Sequence, residues 1–577
     1  MIVSHTGHSP VLSPDHARKA WEELGTQHFD LLIIGGGSVG AGTALDAATR
    51  GLKVAVVEAR DIAGGTSSRS SKMFHGGLRY LAMLDFALVA ESLRERELSM
   101  SHLAPHLVKP LRFIFPLTHR IWERPYMASG FALYDLMGGA KSVPFQKHLS
   151  HKKMMQLAPG LKEDALVGGV RYYDTLVDDA RHTLTVLRTA AQYGALIRTS
   201  TQVTGFVKDG ERVTGLELKD TDTGEVTTAH ANCVINATGV WNDEMEKLAG
   251  TEGMFNVHAS KGVHIVVKRD VIDADAAMTF VTEKSVLFVI PWKEHWIIGT
   301  TDTDWTGNRA NPAPTAEDVD YILDHVNAKV RRTITRDDIV GVYSGLRPLL
   351  EGKSESTSNL SRNHAVAKVL PGMVSVAGGK YTTYRVIGKD AVDRAADEIA
   401  GEVPESVTDQ VPLLGADGYH ALANQVPALA RRLQLSEAQT THLLDRYGSL
   451  IFEVLEPAAD RPELLEPVPG AEDYLKAEVH YAVTHEGARH IDDVLSRRLR
   501  VNMEYAHRGA ESAEYVADVL AEHLEWSDED KQRERSAFDG FLKATLAAER
   551  EATDEQANQV LAGITPVHRF VDTRQDN

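Results

Sequence analysis

A short glycine-rich segment is the part of this chain whose residue types most clearly predict chemistry. Gly35, Gly37 and Gly40 fit the spacing G-x-G-x-x-G, and Glu58 ends the next apolar run. Such glycines let the backbone approach a pyrophosphate at a helix N-terminus, where free N–H groups and the helix dipole favour negative charge. A carboxylate placed like Glu58 can hold an adenosine ribose. The four residues therefore predict a dinucleotide site.

A second group of reactive residue types lies in the Gly- and Ser-rich segment 61–81. His75 is followed by two glycines, and Arg79 and Tyr80 stand four and five positions further on. Histidine is the usual proton acceptor near neutral pH, and arginine suits bidentate contact with an anion such as phosphate. An isolated histidine is more often a surface or capping residue, so the segment alone leaves its role open.

The elements around the glycine segment would position these groups. Apolar runs at 29–34 and 53–57 predict two strands, and 41–50 predicts a helix between them, which is the order of a βαβ unit. Ala237-Thr238-Gly239 and Gly378-Gly379 are further turns where a backbone can approach a ligand closely. Each turn alone is best explained as a glycine cap or hinge. Together with the first turn they favour a large, extended cofactor.

The remaining patterns separate the chain into contrasting parts. Helices are predicted over 86–100, 182–193 and 382–399, and Asp209-Gly210 is predicted to join two strands at 202–208 and 213–219. Strand patterns between 255 and 345 predict an antiparallel sheet rather than further βαβ units. From 420 to 577 the patterns are mostly helical, which places a domain boundary near 400–415.

Composition and charge narrow the functional classes. The chain has 577 residues, of which 43% are hydrophobic and 25% charged, as in ordinary globular proteins. A net charge of −19 makes nucleic acid a poor partner and requires any anion site to be a local basic pocket. The single cysteine, Cys233, rules out an internal disulfide framework and is predicted to be a small, buried strand residue. No apolar stretch approaches the ~20 residues that span a bilayer.

Five segments, taken in order, resemble those of the FAD-dependent glycerol-3-phosphate dehydrogenases. They are the glycine motif at 35–40, SSKMFHGGLRY at 70–80, the pair IPW at 290–292 and GTTD at 299–302, YSGLRP at 343–348, and GGKYTTYR at 378–385. The resemblance implies an α/β + α fold. Its parts would be a D-amino-acid-oxidase-like flavoprotein, with a Rossmann-like FAD domain and an antiparallel-sheet substrate domain, and a C-terminal helical domain.

Composition, patterning and the resemblance together give approximate domain limits. Residues 1–27 are predicted to be a loose N-terminal tail, 28–395 the FAD-dependent oxidoreductase, and 400–577 the helical domain. Within the oxidoreductase, the FAD-binding part takes 28–108, 170–250 and 340–395, and the substrate part takes 109–169 and 251–339. In the helical domain, Arg497, Arg498 and Arg500 are interpreted as a solvated helix face, with an interface as the alternative.

The implied cofactor is FAD, and segment 64–68 offers it no covalent attachment point, so we expect non-covalent binding. Arg69 and Lys72 lie in segment 61–81 and are equally compatible with anchoring that segment beside the flavin and with binding substrate. The residues implied to bind FAD are Gly35, Gly37, Gly40, Glu58, Thr66, Ser67, Ser68, Ser71, Lys72, Ala237, Thr238, Gly239, Gly379 and Thr383.

The implied substrate is sn-glycerol 3-phosphate, oxidised at C2 to dihydroxyacetone phosphate by hydride transfer to FAD. Because the hydroxyl must also lose a proton, we infer that His75 is the base, with His264 on a predicted strand as its rival. Arg347 is implied near the reacting hydroxyl, where it could stabilise a developing alkoxide, and its alternative is a structural ion pair. The implied phosphate ligands are Arg79, Tyr80, Lys380 and Thr382.

The family's typical electron acceptor is a membrane quinone, which implies a cytoplasmic protein, peripheral on the cytoplasmic face of the membrane. Segment 120–137 interleaves arginine with aromatic and aliphatic residues, which is compatible with a helix in a lipid interface or with a domain-packing helix. The oligomeric state stays open, with a homodimer among the options. The alternatives are a glycerol-3-phosphate oxidase that releases hydrogen peroxide, a non-catalytic scaffold and, more weakly, an NAD enzyme.

Overall fold

The computed structural model describes residues 10–77, 85–119, 122–138, 143–251, 253–283, 286–350 and 364–564. The strands are β1 (His28–Ile34), β2 (Val54–Val57), β3 (Met73–Phe74), β4 (Val108–Leu117), β5 (Lys147–Ser150), β6 (Gly168–Val177), β7 (Leu196–Arg198), β8 (Thr201–Asp209), β9 (Arg212–Asp220), β10 (Val226–Asn236), β11 (Val257–Lys268), β12 (Ala277–Val281), β13 (Val286–Trp292), β14 (His295–Gly299), β15 (Thr303–Asp304), β16 (Ile339–Leu350), β17 (His364–Leu370), β18 (Met373–Gly378), β19 (Pro467–Val468) and β20 (Ala471–Leu475).

The α-helices follow in the same chain order. They are α1 (Pro14–Thr26), α2 (Ser38–Thr49), α3 (Phe86–Leu98), α4 (Glu123–Met137), α5 (His151–Leu157), α6 (Asp179–Gln192), α7 (Asn242–Leu248), α8 (Ala316–Asn327), α9 (Tyr384–Ala395), α10 (Tyr419–Ala423), α11 (Val426–Leu433), α12 (Glu437–Tyr447), α13 (Ile451–Leu455), α14 (Lys476–Thr484), α15 (Val501–Glu504), α16 (Ala513–Leu524), α17 (Asp528–Ala548) and α18 (Asp554–Ala562).

The first sheet is built on the predicted βαβ unit. Its main path runs β17-β18-β10-β1-β2-β7, and the hairpin β8–β9 extends from β10. The strands from β18 to β7 along this path are parallel to one another, and β17 pairs with β18 in the antiparallel sense. Helices α2, α6 and α9 cover one face, and α1 with the hairpin covers the other, so the central strands are apolar throughout.

Cys233 lies in β10 at the centre of this sheet and is fully buried, as the sequence predicts. Burial raises the pKa of its thiol to about 12. The residue is therefore an apolar core position rather than a reactive thiol.

The N-terminal segment differs from the sequence prediction. The expectation of a loose tail was wrong for residues 14–26, which form α1. Its N-cap, Ser13, accepts a hydrogen bond from the backbone N–H of His16, and Leu24 is fully buried in the core of the first sheet. Just before the helix, Leu12 bridges to Glu486 of the C-terminal part.

The second sheet follows the order β15-β11-β14-β13-β12-β4-β6-β3, with β16 paired to β11 and β5 paired to β6. Its pairs are antiparallel except for β12–β4, so the prediction of an antiparallel sheet over 255–345 is confirmed. Strands β6 and β16 belong to this sheet, although the predicted limits placed 170–177 and 340–350 in the FAD-binding part. Helix α8 packs on the sheet and closes its core.

The C-terminal part is helical over its described residues, as predicted, and these include one short hairpin, β19–β20. Its helices enclose two cores of their own, one around α14, α16 and α17 and one around α12 and α13. The predicted helices over 86–100, 182–193 and 382–399 correspond to α3, α6 and α9. The last of these ends earlier than predicted, at Ala395.

Candidate cofactor and substrate site

A cleft of about 890 Å³ opens where the strands of the first sheet end. Its walls combine the first βα turn, the end of β2, the turn after β10 and the turn after β18, so the three glycine turns of the sequence meet around one space. The predicted FAD-binding residues that line it are Gly35, Gly37, Glu58, Thr66, Ser67, Ala237, Thr238, Gly239 and Gly379. Those outside its lining are Gly40, Ser68, Ser71, Lys72 and Thr383.

The first turn depends on two glycines for different reasons. Gly35 has a φ of +110°, and a Cβ there would lie 2.7 Å from the carbonyl oxygen of Ala237. Gly40 lies behind the turn in α2, where a Cβ would meet the carbonyl oxygen of Gly35 at 1.9 Å. The first turn of α2 carries no acidic side chain, so the positive end of its dipole is not neutralised locally.

Glu58 presents its carboxylate to the same cleft. The oxygens accept hydrogen bonds from the backbone N–H groups of Gly36 at 2.7 Å and Arg60 at 2.9 Å. Burial raises the pKa of Glu58, and the two hydrogen bonds oppose that rise. A carboxylate fixed in this way is a suitable acceptor for ribose hydroxyls. Together with the close-approach glycines and the free end of α2, it shows that the residues present fit a dinucleotide.

The loop that follows β2 is held by a buried ion pair. Lys72 is fully buried; its Nζ donates to the carbonyl oxygen of Ser68 at 2.6 Å and to the carboxylate of Asp179 at 2.8 and 3.0 Å. Asp179 also accepts from the backbone N–H and the hydroxyl of Ser70. Because both charges of the pair are already compensated, the contacts favour loop anchoring over substrate binding as the role of Lys72.

His264 lies in β11, beside the loop. The hydroxyl of Ser71 is 2.8 Å from its Nε2, and its ring stacks on Tyr343 with a centroid distance of 4.7 Å. Burial, and then the positive charges of Arg347 and Lys72, hold the pKa of His264 well below its ordinary value. The imidazole is therefore neutral near pH 7. No described residue forms a hydrogen bond with its buried Nδ1.

The backbone of His75 is fixed by two residues that the sequence analysis assigned to the phosphate. Lys380 donates its Nζ to the carbonyl oxygen of His75, and the hydroxyl of Thr382 donates to the same oxygen at 3.2 Å. The ring of His75 lies 6.5 Å from that of Phe288 in β13. His75, Lys380 and Thr382 are thus brought together, whereas Arg79 and Tyr80 lie outside the described residues.

Arg347 lies in β16 opposite Ser260, where it faces the loop after β14. Its guanidinium donates to Thr300 Oγ1 at 3.0 Å and to the carbonyl oxygen of Thr301 at 3.2 Å, and it pairs with Asp302 at 3.3 Å. The side chain keeps 20% exposure. Arg347 therefore forms the structural ion pair of the alternative interpretation. Its positive charge also lowers the pKa of His264.

A set of buried charges between the C-terminal part and the loop after β2 was not predicted from the sequence. Arg497 and Arg498 both bind Asp61, and Arg500 binds Asp178 and Asp179. All three arginines are buried, so their interpretation as a solvated helix face was wrong. The run DDVLSRRLR offered a signal, because three arginines among apolar residues require partners if they are buried. We call the interdomain ion cluster the group Asp61, Lys72, Asp178, Asp179, Arg497, Arg498 and Arg500.

Comparison with known families defines the class of protein. A family model described as FAD dependent oxidoreductase matches residues 30–385, and a model described as the C-terminal domain of alpha-glycerophosphate oxidase matches residues 406–531. The two matches divide the chain near the predicted boundary at 400–415. The protein is an FAD-dependent oxidoreductase.

Similarity to individual proteins identifies the family within this class. The chain is 56% identical over 552 residues to a glycerol-3-phosphate dehydrogenase of Mycobacterium leprae, which covers 96% of this chain and 94% of that protein. It is 35% identical over 544 residues to the mitochondrial glycerol-3-phosphate dehydrogenase of Bos taurus, covering 90% and 73%. A solved structure of the Bacillus halodurans glycerol-3-phosphate dehydrogenase complexed with FAD is 28% identical, with a TM-score of 0.76 and coverage of 92% and 98%.

The chain therefore belongs to the family of FAD-dependent glycerol-3-phosphate dehydrogenases. This confirms the family resemblance, the D-amino-acid-oxidase-like fold with a C-terminal helical domain, the enzyme class and FAD as the cofactor. The roles of individual site residues are not tested by these matches and stay predictions.

Proposed function

We propose that this chain oxidises sn-glycerol 3-phosphate at C2 to dihydroxyacetone phosphate and passes the electrons to a membrane quinone. Family membership supports the substrate and the reaction. The observation that carries the assignment to this site is the convergence of His75, Lys380 and Thr382 beside the cleft, with Arg347 and His264 on the adjoining sheet. An anionic alcohol needs cationic groups for its charge and one base for its hydroxyl proton, and these residues offer both.

When bound in the cleft, FAD supplies the acceptor for the two electrons and the hydrogen that leave C2. The residues implied to hold it are the lining groups of the three turns, with Glu58 placed for the ribose. The remaining task of the protein is to hold the substrate, exclude water and move one proton from the C2 hydroxyl.

The two histidines suit different parts of that task. The pKa of His264 is well below its ordinary value, so this ring has little tendency to accept a proton at pH 7. We therefore keep His75 as the proposed base and assign His264 to orienting the hydroxyl. Arg347, whose positive charge acts on His264, would stabilise the negative charge that develops on the substrate oxygen.

An anaerobic titration tests the reaction. Adding sn-glycerol 3-phosphate to the yellow holoprotein should bleach the visible flavin absorbance, because without oxygen or quinone the reduced flavin is not reoxidised. Glycerol, which lacks the phosphate, and sn-glycerol 1-phosphate, which has the opposite configuration at C2, are the matched controls. Bleaching by glycerol to the same extent, or no bleaching by sn-glycerol 3-phosphate, would contradict the proposal.

The phosphate contact is tested at Lys380. Lys380→Met removes one charge-assisted contact worth about 1.5–3 kcal/mol, so kcat/KM should fall roughly 10- to 150-fold while FAD stays bound. Lys389→Met in α9 is the control, since that lysine pairs with Asp393 at the surface and should leave kcat/KM unchanged. An unaltered kcat/KM in Lys380→Met would place the phosphate elsewhere.

The assignment of the base is tested by comparing the two histidines. His75→Ala should lower kcat by about 10²- to 10⁴-fold with flavin retained, as expected for loss of a general base. His264→Asn should lower kcat less and raise KM, because it would lose an orienting contact. The opposite ranking of the two kcat losses would exchange the two roles.

The oxidase remains the second candidate, because the family model for residues 406–531 is described by alpha-glycerophosphate oxidase. Hydrogen peroxide released in step with turnover would identify that activity. Reduction of a short-chain quinone without peroxide supports the dehydrogenase.

Membrane contact is proposed for α4 and the residue before it. Trp122 and Tyr126 are each 59% exposed and Leu136 is 69% exposed, while Phe131 and Tyr134 are buried and attach the helix to the protein. Among the described residues, no helix combines the length and apolar character needed to cross a bilayer. An exposed face of aromatic and aliphatic side chains suits a peripheral position, here on the cytoplasmic face.

Liposome co-sedimentation tests this surface. The variant carrying Trp122→Glu and Arg124→Glu should lose most binding to anionic vesicles. Val226→Glu is the control, because that residue is 75% exposed on β10, outside α4. Equal binding of the wild type and the double variant would remove α4 from consideration.

A further inference from the structure

We propose that Arg500 of the C-terminal domain is a positioning residue for the reaction, and that it acts through Asp179 and the loop 68–72 on His264. The proposal rests on the proposed function, because it concerns the same site. It assigns to the C-terminal domain a part in ordering the substrate pocket, in addition to packing.

The first step is the contact between Arg500 and the start of α6. Its guanidinium donates to Asp178 at 2.5 Å and to Asp179 at 2.5 Å, and to the carbonyl oxygen of Ser68 at 3.2 Å. The arginine is 2% exposed and Asp179 is fully buried. The planar, permanently charged guanidinium holds its donors in a wide, fixed fork, which lets it bridge Asp178, Asp179 and Ser68 at once.

The second step runs from Asp179 to the loop. The carboxylate that Arg500 binds also binds the Nζ of Lys72 and both the backbone N–H and the hydroxyl of Ser70. The hydroxyl of Tyr343 donates to the carbonyl oxygen of Ser70 at 3.0 Å. The loop is therefore fastened on one side by Asp179 and on the other by β16.

The third step is from the loop to the imidazole. Ser71, between the two residues that Asp179 holds, places its hydroxyl 2.8 Å from Nε2 of His264. Tyr343, which holds Ser70, also stacks on the ring of His264. Displacement of the loop would thus change both the hydrogen bond and the orientation of the imidazole.

Charge gives Arg500 an effect that packing alone would not have. Burial, and then the charge of Arg500, lower the pKa of Lys72 to about 8. Deprotonated Lys72 would lose its ion pair with Asp179, which holds the loop beside His264. Loss of the positive charge at residue 500 should therefore raise the pKa of Lys72 and move the alkaline limb of the kcat–pH profile to higher pH. The charged and titratable groups that face Lys72 are Asp178 at the N-cap of α6, Asp179 in α6, Arg500 from the C-terminal domain, Tyr343 from β16 and His264 from β11.

The test compares Arg500→Gln and Arg500→Lys with the wild-type holoenzyme. We expect Arg500→Gln to keep its FAD and to lose about tenfold or more in kcat, with its alkaline limb shifted upward; Arg500→Lys should recover part of kcat and the wild-type limb. Arg489→Gln is the control, because Arg489 joins the C-terminal domain to Asp222 and does not touch the loop. Its kcat and pH profile should match the wild type.

Hydrogen exchange provides a readout that does not depend on turnover. Amides in peptides covering 66–77 should exchange faster in Arg500→Gln than in the wild type or Arg489→Gln. If Arg500→Gln folds too poorly for kinetics, Ser70→Ala replaces it, because that change removes one link between Asp179 and the loop from the other end. In the double variant Arg500→Gln with Ser70→Ala, the loss in kcat should be smaller than the two single losses predict together, because both changes act through Asp179.

The outcomes separate this inference from the proposed function. A wild-type kcat and pH profile in Arg500→Gln, unchanged exchange over 66–77, or full additivity of Arg500→Gln with Ser70→Ala would overturn the positioning role. A wild-type holoprotein that does not oxidise sn-glycerol 3-phosphate would instead overturn the proposed function, while the exchange measurement would still decide whether Arg500 orders the loop.

Discussion

The first βα turn and the interdomain ion cluster both border the cofactor cleft, but they are held together by different physics. The turn, 35–40, depends on close backbone packing: Gly40 lies against the carbonyl of Gly35, and Gly35 lies against Ala237. The interdomain ion cluster depends on buried charge, with Asp61 compensated by Arg497 and Arg498 from more than 400 positions further along the chain.

The difference shows which kind of substitution each of these two regions cannot tolerate. A turn of this kind fails when volume is added, since no atom nearby can move far without breaking the strand or the helix. An ion cluster fails when charge is removed, because the remaining partner is left buried without compensation. The same cleft is therefore sensitive to size on one side and to charge on the other.

The largest effect is expected from Gly40→Ala, which tests the turn. The added Cβ would lie 1.9 Å from the carbonyl oxygen of Gly35, so the turn must shift and most bound FAD should be lost. Flavin absorbance per chain after purification measures this. Gly540→Ala, at a position in α17 with open space, should keep full flavin and gain about 0.5–1 kcal/mol of stability. Full flavin in Gly40→Ala would show that the turn is less tightly packed than its geometry indicates.

A smaller but still large effect is expected from Asp61→Asn, which tests the interdomain ion cluster. Removing the carboxylate leaves Arg497 and Arg498 buried without their shared partner, at a cost of about 3–5 kcal/mol. The midpoint of urea unfolding, followed by tryptophan fluorescence, should fall clearly. Glu163→Gln breaks the exposed pair with Arg331 and should cost no more than about 1 kcal/mol. Similar midpoints for the two variants would refute the contrast between buried and exposed charge.

The smallest effect concerns pH and a second interdomain contact, at His490. Its ring lies between Asp222 at 3.2 Å and Glu534 at 3.1 Å, and these carboxylates hold its pKa well above the ordinary value despite burial. Because the folded-state pKa is raised, the stabilisation is complete below about pH 6.5 and is lost as pH rises through the folded-state value. The Tm difference between the wild type and His490→Gln should therefore be larger at pH 6 than at pH 9.

The control for that measurement is His420→Gln, at an exposed position of α10. Its Tm should follow the wild type at both pH values. A difference for His490→Gln that grows with pH would mean that the ring is neutral in the folded protein.

The sequence predicted what local pattern determines. The βαβ unit, the hairpin that turns at Asp209-Gly210 and the helical C-terminal part all follow from spacing and turn residues, and the structure has each of them. The three cofactor turns could also be grouped, because each has a glycine at the end of an apolar strand or within three residues of it, which leaves room for a ligand beside the backbone. These features need only a few neighbouring residues to be specified.

What the sequence could not show is pairing across long separations. Nothing near Lys72 indicates that Asp179 compensates its charge or that Arg500 shares that carboxylate. Likewise, nothing near residue 14 indicates that α1 packs on β10 and places Leu24 in a core. The same applies to Lys380, whose contact with the carbonyl of His75 spans 305 positions. Such contacts depend on the assembled fold rather than on local residue types.

The single thiol of the chain has a practical consequence. Cys233 lies in β10 between β1 and β18, and an alkylating reagent can reach it only when these strands separate. Because there is no second cysteine to label, the rate of alkylation in native buffer would report the opening of the nucleotide-binding sheet directly. Comparing the alkylation rate of Cys233 with and without a bound ligand would therefore measure how far that ligand suppresses opening of the sheet.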